Sequence, residues 1–145
     1  MKKLMLLSLS VLALMSCSND DDQENEYSIV GLWRESKIVI YNGTNNAVLN
    51  TELPDDCDKK NTYEFTSGGQ INIKTFYTQS STGNCIEDTT SSEAYTYNPE
   101  TKKITVGNET SDVLSLTNNE LQIVVDMDDE NNDGVDDKVV LVLYK

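Results

Sequence analysis

The chain has 145 residues, no histidine, and a formal charge of −14 from 25 acidic and 11 basic side chains. Without histidine, His-based catalytic triads, His-ligated zinc and most neutral-pH general-base schemes are excluded together. So acidic a surface repels phosphate backbones and anionic headgroups, which excludes nucleic acid as a partner.

The opening "MKKLMLLSLSVLALMSCSNDDD" sets two lysines before an apolar run, Leu4 to Met15, that only Ser8 and Ser10 interrupt. About a dozen apolar residues fall short of the roughly 20 needed to cross a bilayer, so residues 1–16 read as a secretory signal and not as a membrane-spanning helix. Leu14, Ser16 and Cys17 resemble the lipobox of bacterial lipoproteins, in which the cysteine is acylated and becomes the new N-terminus. That resemblance implies lipidation at Cys17 and a protein tethered to a membrane, since each buried methylene of an acyl chain contributes about 0.8 kcal/mol. Residues 17–27 are then the lipidated cysteine and an acidic tether, "SNDDDQENE" having no apolar residue and the composition of a disordered segment. An acidic run directly after the cysteine is similar to the export signal of Bacteroidetes lipoproteins. It implies a bacterial outer-membrane location, on the cell surface.

Loss of Lys2 and Lys3 with the signal takes the formal charge from −14 to −16. The remaining 28–145 fits one domain. With Cys17 assigned to lipid, Cys57 and Cys85 form an even pair in an exported protein, and a disulfide is expected. Closing a loop of about 29 residues restricts the unfolded chain by roughly 3–4 kcal/mol in the loop-entropy estimate. The other reading, two free thiols acting as nucleophile or metal ligands, lacks both spacing and companion residues.

From residue 28 onward the segments are short, rich in Val, Ile, Thr and Tyr, and separated by turn residues about every ten positions, which predicts an antiparallel all-β fold. In "GLWRESKIVIY" neither alternating side is clean, so this strand is expected to curve from a closed end of the fold to its rim. Asn42-Gly43 turns the chain, "AVLNT" is a short strand, and "ELPDDCDKKN" is a loop bearing Cys57. "TYEFTSGGQINIKTFYT" reads as a hairpin with Tyr63 and Phe65 on one face and Ile71, Ile73, Thr75 and Tyr77 returning. Beyond "QSSTGN" come "CIEDTTSSEAYTYN", "KITV", "TSDVLSLT", "ELQIVVDM", an acidic loop and "KVVLVLYK". Eight to ten strands joined by tight turns predict an up-and-down meander, whose closure into a barrel removes exposed edges. The last strand is apolar almost throughout, so it is expected to be covered on both sides or to lie against the first strand at the closure.

Taken in order, "IVGLWRES", "DDCDKKNTYEFTSGGQINI", a second cysteine and "VLSLTNNELQIVV" resemble the lipocalin-like domains of small Bacteroidetes lipoproteins, over residues 28–145. The resemblance implies a lipocalin-like β-barrel acting as a binding module and not an enzyme, with Trp33 of the Gly-x-Trp stretch closing the barrel bottom. It leaves open a small apolar molecule, a glycan fragment or an envelope protein as partner. No helix packed on the barrel is evident. The rival is a structural or protein-interaction lipoprotein whose barrel is filled solid with side chains.

Among the aromatics, Trp33, Tyr63, Phe65, Tyr95 and Tyr97 read either as core or as a ligand platform, since barrels of this strand number have room for one small molecule. The acids Glu87 and Asp88 make a poor glycosidase pair without a facing geometry. Asp88-Thr89-Thr90 resembles an O-glycosylation motif of Bacteroidetes, and reads equally as exposed strand. In "DENNDGVDD", Asp129, Asn131, Asp133 and Gly134 fill positions one, three, five and six of a calcium loop, with the Val135 carbonyl at seven and Asp137 at nine. Position twelve is Val140 in place of the bidentate glutamate, so the loop resembles the shorter Asp-x-Asn-x-Asp-Gly loops of extracellular modules. The loop reads either as a calcium site, calcium being the one cofactor the sequence suggests, or as a solubilising hairpin tip.

Overall fold

The computed structural model describes residues 27–145; the signal segment, Cys17 and the acidic tether through Glu26 lie outside the described residues. Nine strands follow in order: β1 (Gly31–Tyr41), β2 (Val48–Glu52), β3 (Thr62–Phe65), β4 (Gln70–Thr78), β5 (Cys85–Asn98), β6 (Lys103–Val106), β7 (Glu109–Leu116), β8 (Glu120–Asp128) and β9 (Asp137–Tyr144). A 3-10 turn, Asp58–Lys60, interrupts the long loop before β3, and no α-helix occurs among the described residues. All the strand pairs are antiparallel, and β9 returns to β1, so that β1 and β3 through β9 close an eight-stranded barrel with β2 annexed to the far half of β1. The expected meander barrel is what forms.

Why β9 reads as continuous apolar sequence is visible in its register. Leu141 and Leu143 pair with Ile123 and Leu121 of β8 and join the cluster built around Trp33, Phe65, Ile71 and Ile104 inside the barrel. Val140 and Val142, on the opposite face of the strand, belong to a second cluster with Val39 and Val124, against which Tyr41 packs. The strand is therefore buried on both faces and also closes the barrel on β1; the two expectations hold together.

A bulge explains the muddled alternation of β1. The register against β9 slips between Glu35 and Lys37, leaving Ser36 as the extra residue. Trp33 and Glu35 face inward before it, Ile38 and Ile40 after it, so a strict two-residue period cannot describe the strand.

Pairing is not uniform along the barrel. Gly31–Arg34 of β1 pair with β3, but Ile38–Tyr41 pair with β2. Strand β5 pairs with β4 through Cys85–Ala94 and with β6 only through Tyr95–Asn98. The β7–β8 ladder stops at Val113 and Ile123, and Val124–Asp128 pair with β9 alone. At the rim the barrel thus becomes two walls, β2–β1–β9–β8 and the β4–β5 ribbon, with no ladder between them. This is the mouth; the opposite end, where β1 starts and β9 ends, is the floor.

Candidate functional site

The inner face changes character from floor to mouth. At the floor Trp33, Phe65, Leu121 and Leu143 are fully buried, and Phe65 meets Tyr95 edge-to-face with ring centroids 5.0 Å apart. The Trp33 indole N–H donates to the Ile29 carbonyl at 2.8 Å, and the Lys145 ammonium sits over its ring, 4.3 Å from the centroid. Toward the mouth the same face carries Ile38, Tyr63, Ile73, Ser91 and Leu141, all half-buried. At the rim Tyr77 and its cross-strand partner Ile86 are 44% and 37% exposed.

A polar group marks the boundary between the two zones. Strand β3 does not begin until Thr62, so the space between the rim half of β1 and β4 is bridged by the preceding loop. Buried Asn61 spans it: its Nδ2 donates to Glu35 Oε2 at 3.0 Å, and its Oδ1 accepts the Phe76 N–H at 2.8 Å. Asp55 shapes the same loop by accepting the N–H groups of Cys57 and Asp58 at 2.6 and 2.9 Å and the Thr78 hydroxyl at 2.9 Å. These bonds, the Asp58 N–H foremost, hold the Asp55 carboxyl below its ordinary range. The expected disulfide, Cys57–Cys85, fastens this loop to the first residue of β5, with Cα atoms 5.4 Å apart.

Burial pushes the Glu35 carboxyl above its ordinary 4.5, against the opposing effect of the Asn61 hydrogen bond and with help from Asp58 and Asp55. Burial likewise lifts the Tyr63 hydroxyl to about 12, the charges of Glu35 and Asp58 adding to it. Tyr63 therefore stays neutral across the physiological range. For Glu35 the folded state binds its proton more tightly than the unfolded chain, so stability falls as pH rises from the unfolded value through the folded one and is level beyond. Glu35→Gln keeps an oxygen for Asn61 and removes the ionisation. Its expected effect is a flatter pH dependence and a gain at pH 7 of about a few tenths of a kcal/mol, small because the group is partly solvated. Urea midpoints of both proteins from pH 4 to 8 check it; parallel curves would sink it.

The five aromatics singled out in the sequence do not share one pocket. Trp33 and Phe65 are floor packing, Tyr63 lies at the polar boundary, and Tyr95 and Tyr97 pack on the floor cluster from β5. The Tyr95 hydroxyl donates to the Thr66 carbonyl at 3.0 Å. Both tyrosines also line an open cleft of about 570 Å³ at the floor end, between Tyr27–Ile29, the turn at Ser67 and Gly69, and Pro99. Glu35 and Asn61 were missed; an acid out of place in an alternating strand was the available signal. The acid Glu87 is engaged outside the barrel by Lys74, at 2.7 Å.

The acidic loop folds on itself. Asp129 accepts the N–H groups of Asp133 and Gly134 at 2.9 Å each, Asn131 accepts Asp133 N–H at 2.8 Å, and Asp133 accepts Val135 N–H at 2.9 Å. Gly134, at φ +86°, supplies the left-handed turn. Among the described residues no group of three or more acidic or cysteine side chains is gathered closely enough to hold a metal by itself. Asp137 nonetheless departs from the others, being fully buried. Its Oδ1 accepts the Gly43 N–H at 2.8 Å and faces Asn131 Nδ2 at 3.4 Å, while Oδ2 has no partner.

A family model described as a lipocalin-like domain matches residues 29–123. The chain belongs to the lipocalin-like family. No curated protein and no solved structure matches it. The lipocalin-like match runs from the segment below Trp33 into β8, so the acidic loop and β9 lie beyond it. Lipocalin-like barrels are in general binding folds and not enzymes.

Proposed function

We propose that this lipocalin-like protein is a lipid-anchored lipoprotein of the bacterial outer membrane, exposed at the cell surface, whose barrel mouth binds a small apolar molecule or the apolar face of a glycan. The reading rests on one observation: the inner face is packed solid at the floor, whereas Ile38, Ile73, Tyr77, Ile86 and Leu141 on that same face stay partly exposed toward the mouth. Apolar surface lining a concavity, with a few polar groups to fix orientation, is what a small-molecule site requires. Glu35 and Asn61 supply those polar groups. The anchor is supported by the lipobox-like "LMSC" and the acidic run that follows it. Neither a catalytic group nor a cofactor is part of this reading.

The neutral fluorophore N-phenyl-1-naphthylamine tests the mouth. Saturable one-to-one uptake is expected, with Kd on the order of 1–100 µM. Ser91→Trp, which fills the inner face opposite Ile73 without removing core, is expected to weaken it at least roughly tenfold with unchanged thermal stability. Uptake that Ser91→Trp leaves untouched would move the site away from the mouth. A second reading, a protein-interaction lipoprotein, is favoured by β2 and the residue after it, where Val48 and Leu53 are 57% and 76% exposed beside an unpaired strand edge. Absence of any saturable uptake, of the fluorophore or of soluble oligosaccharides, would favour it.

A further inference from the structure

We propose that the loop between β8 and β9 is a calcium site organised around Asp137, a feature separate from whatever the mouth binds. The acidity of the loop does not by itself argue for a ligand, because a solvated hairpin tip tolerates many carboxylates. Asp137 is different in kind. It has no exposed surface, none of the ion pairs among the described residues includes it, and one of its two oxygens is left without a partner. A buried carboxylate normally has its charge compensated by a cation or a full set of hydrogen bonds.

The two groups that meet Asp137 are N–H donors, the Gly43 amide and Asn131 Nδ2, both on Oδ1, and neither is a cation. Oxygens come from the loop itself: Asn131 reaches Asp137 directly, and Asp133 Oδ2 accepts from Asn42 Nδ2 at 3.3 Å, one residue before Gly43, while the Lys138 ammonium next in sequence is turned to Asn46 Oδ1 at 3.0 Å. The Gly43 backbone closes the other side, so tightly that a Cβ there would lie 2.1 Å from the Asp136 carbonyl. A hard divalent ion that takes six to eight oxygens at about 2.3–2.6 Å fits this chemistry. Asp137 Oδ2, Asp129, Asp133, the Asn131 side-chain oxygen and the Val135 carbonyl are the ligands assigned. Because the carboxylates are not already gathered, the neutral oxygens must complete the shell, and the loop must draw in by a small movement as the ion enters. That predicts weak binding, with Kd on the order of 0.1–1 mM.

Calorimetric titration of the full chain in detergent with calcium chloride, together with melts in calcium and in chelator, tests the site. The expected result is one saturable site and a melting temperature that rises with calcium. Asp137→Asn keeps an oxygen for the Gly43 N–H but removes the charge. It should weaken calcium binding at least tenfold and abolish the calcium-dependent shift, while melting in chelator at or above the wild-type temperature. If that variant fails to fold, Asp133→Ala, on the exposed part of the loop, must lose the binding in its place. Absence of saturable binding up to 10 mM, or binding that survives either substitution, overturns the proposal.

Discussion

Trp33→Ala is expected to lower the unfolding free energy by about 3–5 kcal/mol, the range for deleting a large aromatic from a packed core. Three things are lost together. The floor loses its largest fully buried side chain, the Ile29 carbonyl loses its donor, and Lys145 loses the ring beneath its ammonium. Domains of this size have about 5–15 kcal/mol in total, so a fall in melting temperature on the order of 10–20 °C is expected. Trp33→Phe separates the contributions: it restores most of the apolar contact and leaves only the carbonyl unpaired, at about 1–3 kcal/mol. Far-UV circular dichroism must follow both unfolding curves, because Trp33 is the one tryptophan in the chain and its fluorescence vanishes with it. Two variants equally stable with wild type would mean that the floor is not the core.

Removing the Cys57–Cys85 bond by Cys57→Ala/Cys85→Ala should cost about 3–4 kcal/mol in the loop-entropy estimate. The size of the effect also depends on where the bond sits. The loop that Cys57 anchors is the piece that stands in for β3 between the rim half of β1 and β4, through Asn61, Asp55 and the Thr78 hydroxyl. Its release should leave the floor intact and loosen the mouth. Amide exchange reads this directly: protection at Phe76 and Thr78 is expected to drop further than protection at Phe65 and Leu121. A uniform loss at all four sites would mean that the staple acts only through the unfolded chain.

Much of the architecture was legible because turn chemistry and apolar runs coincide. "CIEDTTSSEAYTYN" and "KITV" became β5 and β6 without a shifted boundary, and Gly107, at φ +58°, lies in the turn that follows β6. The cysteine pair was legible from parity. What stayed hidden depends on register. Ser36, Asp88 and Val125 are bulge residues in β1, β5 and β8, and nothing in their side chains announces an extra residue in a ladder. The division of the rim into two walls follows from the same offsets. Glu35 could not be placed inside the barrel until the Ser36 slip was known. Asp137 looked like one more acid in an acidic loop, whereas pairing with Asp128 on the β8–β9 ladder puts it at the buried root of that loop.

The chain enters and leaves at the same end. Ser28 and Val30 present their carbonyls to the Lys145 ammonium at 3.4 and 3.1 Å, directly below Trp33. A tether pulling on residue 27 therefore loads the floor, where β1 is gripped between β3 and β9 and must be sheared across two ladders at once. Under the proposed anchoring the end of the barrel that holds the fully buried Trp33, Phe65, Leu121 and Leu143 takes the mechanical strain. The mouth, the disulfide and the acidic loop lie at the opposite end from residue 27, so a load applied there reaches them last.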